Sequence, residues 1–138
     1  RSIVADAGMT LYTVGSIKRI PGYKQYAAVD GGMTDNPRYA LYQSRYTVYH
    51  GSKTGPTERF DVVGRCCESG DIIQPHVELP ADTCRGDILA VCTTGAYNYS
   101  MASNYNRLPR PPIVMLTPEG SYTAVRRETF ADLTALDE

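Results

Sequence analysis

The stretch VGRCCESGD, residues 63–71, places a thiol directly beside a carboxylate, because Cys67 is followed by Glu68. A cysteine with an ordinary pKa near 8.5 is only about 3% thiolate at pH 7. A neighbouring carboxylate raises a thiol pKa further, since two like charges repel. The pair therefore suits a side chain that keeps its proton and then donates it, and suits a nucleophile poorly.

From the residues alone, two interpretations of this stretch stay open. In the first, Cys66 and Cys67 alternate across a strand, one inward and one outward, with Glu68 at the rim. In the second, the strand ends at the turn that follows and presents Cys67 and Glu68 there, where functional sites are commonly assembled.

Few other residues offer thiol or metal chemistry. His50 and His76 are the two histidines, and neither is placed in sequence to act as base for a cysteine nucleophile. No C-x-x-C motif is present, and the histidine spacings do not match a zinc site. Cys84 and Cys92 complete a set of four cysteines that could form two disulfides. Without a secretory pattern we expect reduced thiols instead.

Length and charge restrict the class of protein. A chain of 138 residues is expected to form one domain. The net charge of −1 argues against nucleic acid as a partner, since binding to phosphates needs a basic face. Neither an apolar run of membrane-spanning length nor a signal-peptide pattern occurs. The chain begins with Arg1 rather than methionine, and we expect it to be an excised piece of a longer protein.

The elements predicted to position the thiol and the carboxylate are short strands rich in β-branched residues and tyrosine. Regular turn signals between them favour a mainly β fold with a few short helices, either a small antiparallel, Greek-key-like barrel or a sandwich. We predict a helix at residues 126–138 and about two helical turns at residues 100–107. We predict a loop at residues 107–112, which read RLPRPP. Predicted strands cover residues 10–20, 23–30, 44–51, 58–67, 86–97, 112–116 and 121–128.

Four stretches, taken in order and spacing, resemble one known family. They are RSIVADAG, AVDGGMTDNPRYALY, VGRCCESGD and TTGAYNYSMASNYNRLPRP. Together they resemble the carboxy-terminal β-barrel domain of diaminopimelate decarboxylases, pyridoxal-phosphate enzymes of the alanine-racemase-like fold type. The resemblance covers nearly the whole chain. It implies that residues 1–138 form the second domain of a two-domain enzyme whose amino-terminal TIM-type barrel lies outside this sequence.

The resemblance also implies roles for particular residues. Arg1 is similar to the arginine that closes the family's E-P-G-R motif and binds substrate carboxylate. Arg38 and Tyr42 match a second arginine–tyrosine pair that holds the substrate. Tyr97 matches a tyrosine that contacts both substrate and cofactor phosphate.

The thiol and its neighbour take the remaining roles. Cys67 matches the family's catalytic proton donor, and Glu68 matches the carboxylate that receives the distal ammonium of the substrate. Cys66 has no role in the family pattern, and we interpret it as a packing residue. Related decarboxylases that act on ornithine or arginine usually carry aspartate after the cysteine, so Glu68 favours the diaminopimelate branch.

The implied chemistry needs these residue types. Pyridoxal phosphate withdraws electrons from an amino acid so that carbon dioxide can leave, and a positioned acid then returns a proton. The product of this step in lysine biosynthesis would be L-lysine. A planar guanidinium such as that of Arg38 binds carboxylate through paired hydrogen bonds, and with Glu68 it would set specificity. The Schiff-base lysine is implied to lie upstream, and Lys18, Lys24 and Lys53 are expected to be solvated.

The resemblance further implies a cytoplasmic homodimer in which the thiol and glutamate of one subunit reach the other subunit's site. Asp71 and residues 101–107 are candidate interface residues. An upstream strand is implied to complete the barrel, so this chain is expected to expose an unpaired edge. The alternatives are a related basic amino-acid decarboxylase, a non-catalytic β-barrel interaction module, and a redox or metal module.

We predict that the 138-residue chain alone has no decarboxylase activity, because the lysine that would carry the cofactor is implied to lie elsewhere. The measurement is an assay for lysine after the chain is mixed with pyridoxal phosphate and diaminopimelate. Formation of lysine at a rate above that of free cofactor would contradict the prediction.

Overall fold

The computed structural model describes residues 2–138, so Arg1 lies outside the described residues. The chain forms eight strands and three short α-helices. The strands are β1 (Met9–Ile20), β2 (Lys24–Val29), β3 (Val48–His50), β4 (Thr57–Val63), β5 (Ile72–Pro80), β6 (Ile88–Cys92), β7 (Ile113–Thr117) and β8 (Gly120–Val125). The helices are α1 (Arg38–Tyr42), α2 (Asn98–Met101) and α3 (Phe130–Leu133). None of the helices in residues 2–138 has the length and apolar character needed to cross a membrane.

Six of the strands form one curved sheet in the order β3-β6-β1-β2-β4-β5. The edge strands β3 and β5 pack against each other without a hydrogen-bonded ladder, so the sheet is a nearly closed barrel. The strands β7 and β8 form a separate hairpin. The predicted mainly β barrel with short helices is confirmed. The predicted antiparallel order needs one correction, because β2 and β4 pair in parallel.

The core follows the two-residue period of the strands. Alternate side chains of β1, β2, β4 and β6 point inward and are buried, and those between them mostly face outward. Phe60 and Val62 of β4 and Leu89 and Val91 of β6 have no exposed surface. The main core residues are Tyr12, Val14, Ala27, Val29, Phe60, Val62, Ile73, Val77, Leu79, Leu89 and Val91.

Two elements appear that the sequence pattern did not indicate. The strand β5 contains Pro75 and ends at Pro80, and proline is a poor strand former because it lacks an N–H donor. The strand survives because it lies at the edge of the sheet, where only one ladder is needed. The helix α1 has only five residues, too short for a helical period to show in the sequence.

The last helix is shorter than predicted. Instead of spanning residues 126–138, α3 covers Phe130–Leu133 and begins at a capping box between Thr129 and Asp132. Residues before the cap are held in other contacts, since the Glu128 carboxylate accepts the Arg110 N–H at 2.8 Å. Residues 98–107 form α2 and a separate 3₁₀ turn, and residues 108–112 are irregular, as the predicted turns and loop require.

The two phenylalanines of the chain offer a matched test of this core. Phe60 is fully buried and Phe130 is 76% exposed. We predict that Phe60→Ala lowers the free energy of unfolding by about 3–5 kcal/mol, because it leaves a cavity in the barrel. Phe130→Ala should change it by less than about 0.5 kcal/mol. Urea unfolding followed by circular dichroism measures both, and equal effects would contradict the placement of Phe60 in the core.

Candidate functional site

Arg38 stands at the centre of an aromatic cluster. Helix α1 places Arg38 and Tyr42 four residues apart, which brings them to the same face. The Arg38 guanidinium carbon lies 5.3 Å from the ring centre of Tyr42 and 5.3 Å from that of Tyr97. This separation is within the range of a cation–π contact. The two rings remain 62% and 50% exposed, so the cluster is open to a ligand.

The loop that carries Tyr97 is held in an unusual backbone conformation. Thr93 and Tyr97 have positive φ angles of 62° and 71°, which are costly for residues other than glycine. Gly95 between them packs against the amino-terminal turn, where an added Cβ would lie 2.2 Å from the Val4 carbonyl oxygen. The Gly95 N–H donates to the Ala5 carbonyl at 2.9 Å. Close packing therefore holds Tyr97 beside Arg38.

No carboxylate in residues 2–138 forms an ion pair with Arg38. One guanidinium N–H of Arg38 donates to the Met101 sulfur at 3.8 Å. A small cavity of about 50 Å³ lies beside it, lined also by Arg45, Tyr46 and Thr93. Two guanidinium groups facing one polar cavity can bind an anion such as a carboxylate or phosphate.

The thiol loop, defined here as residues 64–71, begins where β4 ends at Val63. The predicted strand through Cys67 is therefore wrong, because the strand ends at Val63 and leaves Cys67 and Glu68 within a loop rather than at the strand end itself. The loop closes on itself through backbone hydrogen bonds. The Glu68 N–H donates to the Cys66 carbonyl at 2.8 Å, and the Asp71 N–H donates to the Glu68 carbonyl at 3.1 Å.

The carboxylate of Asp71 lies inside this loop. It is 4% exposed and accepts the Met33 N–H at 2.6 Å and the Cys66 N–H at 2.7 Å. The Asp71 side chain is thus used within its own chain, and its place at an interface stays a prediction. Gly64 leaves the necessary space, because an added Cβ there would lie 2.2 Å from an Asp71 oxygen.

The adjacent cysteines have different environments. Cys66 is half-buried, and burial followed by the negative charge of Asp71 raises the pKa of its thiol to about 11. Cys67 is exposed and is not part of a disulfide. Its N–H donates to the Asn106 side-chain oxygen at 2.9 Å, so a residue far along the chain helps to fix it. The expectation that Cys66 only packs is thus incomplete, because its N–H anchors the loop.

Glu68 is exposed beside Cys67. One of its carboxylate oxygens accepts the Ser69 hydroxyl at 3.3 Å and the Gly70 N–H at 3.3 Å. These weak hydrogen bonds orient the Glu68 carboxylate but do not neutralise its charge, so the carboxylate can still bind a cation.

The predicted site residues thus form two groups. One group is Arg38, Tyr42 and Tyr97, and the other is Cys67 and Glu68. In residues 2–138 no hydrogen bond or ion pair joins the two groups. Arg1 lies outside the described residues, so its substrate role stays a prediction.

Sequence reasoning missed Asn106 as a contact of Cys67 and missed the internal role of Asp71. Asn106 had no usable signal, because its contact with Cys67 spans 39 residues of the chain. Asp71 did carry a signal for the loop alone, since an acid seven residues after Gly64 is spaced to close a short loop.

A larger cavity lies elsewhere in the described residues. It is an open groove of about 770 Å³ near the β1–β2 turn and contains none of the predicted site residues. Its charged groups are already paired, with Lys24 Nζ 2.7 Å from the Asp61 carboxylate. Burial alone would raise the pKa of Asp61, but hydrogen bonds from Lys24 and the His76 N–H outweigh it and lower the pKa. We do not assign this groove to the site.

Comparison with known proteins identifies the family. A profile described as "Pyridoxal-dependent decarboxylase, C-terminal sheet domain" matches residues 3–95. The chain belongs to this family. Residues 3–95 contain all the described site residues except Tyr97 and Asn106.

Individual relatives extend the match beyond the profile. The diaminopimelate decarboxylase of Bacillus subtilis is 50% identical over 99% of this chain and 31% of its own length. A structure of diaminopimelate decarboxylase from M. jannaschii in complex with L-lysine has a TM-score of 0.94 and 36% identity, covering 99% of this chain and 31% of that one. The Helicobacter pylori enzyme complexed with L-lysine has a TM-score of 0.91 and 33% identity, covering 99% of this chain and 33% of that one. The chain therefore spans about a third of the length of these relatives.

The contrast between the adjacent cysteines leads to a prediction. With a pKa of about 11, Cys66 is only about 0.1% thiolate at pH 8. Iodoacetamide should therefore label the exposed Cys67 first, and labelling of Cys66 should rise about tenfold for each pH unit between 8 and 10. Trypsin cuts after Arg65 and Arg85, and tandem mass spectrometry of that peptide locates the label. Equal labelling of both cysteines at pH 7.5 would contradict the different environments.

Proposed function

We propose that this chain is the carboxy-terminal domain of a pyridoxal-phosphate-dependent decarboxylase that converts meso-diaminopimelate to L-lysine and carbon dioxide. The observation that carries the proposal is the pairing of an exposed thiol with an exposed glutamate, on a domain 50% identical to a diaminopimelate decarboxylase. The proposal extends from residues 1–138 to a larger protein with an amino-terminal TIM-type barrel.

The donor set of the Arg38 cluster fits a phosphate-bearing cofactor. Tyr97 offers a half-exposed hydroxyl, and the neighbouring guanidinium of Arg38 lacks an acidic partner in residues 2–138. Tyr97 would contact the phosphate. When bound, pyridoxal phosphate accepts the electron pair that remains as carbon dioxide leaves.

This chain does not offer the lysine that would bind the cofactor. Lys24 is paired with Asp61 and Lys53 with Asp87, both at hydrogen-bond distance. Lys18 lies on β1, in the ladder with Tyr26 of β2. The expectation that Lys24 and Lys53 are merely solvated is therefore wrong. The Schiff-base lysine would come from the upstream domain.

The charges of the two groups fit a substrate that carries both an ammonium and a carboxylate at its far end. Arg38 would bind that carboxylate, with Tyr42 packed against its guanidinium. Glu68 would bind the ammonium. Arg1 would add a second guanidinium. A ligand that lacked either group would leave a charge unpaired, which a site of this kind rejects strongly.

Cys67 would supply the proton that replaces the lost carboxylate. The thiol is exposed, and hydrogen bonds at the N–H groups of Cys66 and Cys67 fix the backbone that carries it. After donation the thiolate takes a proton back from solvent, which its exposure allows. The chain therefore provides the acid and the recognition groups.

The separation of the two groups within one chain supports a homodimer. In residues 2–138 no hydrogen bond or ion pair joins Cys67 and Glu68 to the Arg38 cluster, although the proposed chemistry needs all of them around one ligand. A second subunit that contributes its thiol loop would bring them together. We propose this arrangement, in a protein of the cytoplasm.

Replacement of the thiol in the full-length protein tests the proposal. We predict that Cys67→Ala lowers kcat for diaminopimelate by about 10²- to 10⁴-fold and leaves cofactor absorbance unchanged, because a positioned acid is lost. Cys84→Ala removes an equally exposed thiol on another loop and should keep normal activity.

Assays with ornithine, arginine and diaminopimelate test the substrate in the same preparation. Survival of activity in Cys67→Ala would overturn the acid assignment. A wild-type protein that decarboxylates ornithine or arginine in preference to diaminopimelate would overturn the substrate assignment and favour the related decarboxylases.

A further inference from the structure

Asp71 bonds two separate parts of the chain from a buried position. Its carboxylate accepts the N–H of Met33, 38 residues away, and the N–H of Cys66, five residues away. With 4% of its surface exposed, it depends on these amides in place of water. The Asp71 carboxylate therefore links the thiol loop to the turn at residues 31–35, which follows β2.

The surroundings of this carboxylate are shaped for it. An added Cβ at Gly32 would lie 2.6 Å from an Asp71 oxygen, and one at Gly64 would lie 2.2 Å from the same group. Neither glycine has a positive φ angle, so space rather than backbone freedom requires glycine at both positions. The Asp71 carboxylate thus lies in a close-fitting site, here called the cradle. It is formed by Gly32, Gly64 and the backbone amides of Met33 and Cys66.

The hydrogen bonds of the Cys66 backbone also position the next two residues, Cys67 and Glu68. The Cys66 N–H is held by Asp71, and the Cys66 carbonyl accepts the Glu68 N–H at 2.8 Å. The peptide groups on both sides of Cys66 are therefore fixed, and the second of them carries the N–H of Cys67. The Asp71 backbone closes the loop, because the Gly64 N–H donates to the Asp71 carbonyl at 2.9 Å.

We propose that Asp71 is a positioning residue, whose buried carboxylate sets the direction in which Cys67 and Glu68 leave the barrel. The inference rests on the proposed function for its catalytic consequence and on the geometry alone for its structural one. Asp71 does not meet the ligand. Without the two hydrogen bonds that Asp71 accepts from backbone amides, the thiol loop would lose its fixed orientation.

The experiment compares four variants of the full-length protein. Asp71→Asn keeps the shape of the side chain but replaces one acceptor with an NH₂ group, which cannot accept the second amide. Gly64→Ala keeps the carboxylate but fills its cradle. Asp61→Asn is the matched control, since Asp61 is also 4% exposed and accepts a backbone N–H, that of His76. Gly15→Ala is the control for a glycine-to-alanine change away from the loop, since an added Cβ there meets nothing nearer than the Ala28 carbonyl oxygen at 3.7 Å.

Amide hydrogen exchange and kcat together test the positioning role of Asp71. We expect amide hydrogen exchange in residues 64–71 to rise at least tenfold in Asp71→Asn and Gly64→Ala. We expect kcat to fall by about 10- to 100-fold in both, with KM changed less than about threefold, because a misplaced acid slows the proton transfer. Both controls should stay within about twofold of wild type in exchange of this segment and in kcat.

The two possible failures can be told apart. Exchange and kcat within twofold of wild type in Asp71→Asn would overturn the positioning role, and so would equal losses in Asp61→Asn. A wild-type protein without activity on diaminopimelate would overturn the proposed function, and exchange in residues 64–71 would then decide the role of Asp71 by itself.

Discussion

The turn at residues 31–35 joins the barrel core to both groups of site residues through two carboxylates, those of the half-buried Asp35 and the buried Asp71. Asp35 accepts the hydroxyl of Tyr12, a core residue, and the Gly32 N–H at 2.9 Å. Burial raises the pKa of Asp35, and the hydrogen bonds from Tyr12 and Gly32 only partly offset this effect. Asp71 accepts the Met33 N–H from the same turn. The turn then leads directly into α1 and Arg38, so one short segment orients both groups.

The two groups differ in how they are held. The Arg38 cluster depends on side-chain packing and on a loop with two strained φ angles, while the thiol loop depends on backbone hydrogen bonds. This difference suits the proposed roles. A recognition group benefits from aromatic walls that a ligand can meet, whereas a proton donor needs a fixed direction.

The sequence predicted the barrel and the residue types of the site better than it predicted their supports. Strands with alternating residues were found because their two-residue period is local, as in Phe60 and Val62 of β4. The strand β5 was missed because its prolines argue against a strand unless its edge position is known. The cradle of Asp71 could not be foreseen, since it requires Gly32, Met33 and Gly64 to converge from distant positions. The resemblance supplied the site residues, and the contacts around them came only from the structure.

The parallel pairing of β2 and β4 has an evolutionary consequence. Parallel neighbours cannot be joined by a tight hairpin, so the chain must travel across the barrel between Val29 and Thr57. That connection carries Arg38 and Tyr42. Substitutions and length changes there can alter which side chains meet a ligand while the strand ladders stay intact. A change of substrate within this family therefore requires no redesign of the barrel.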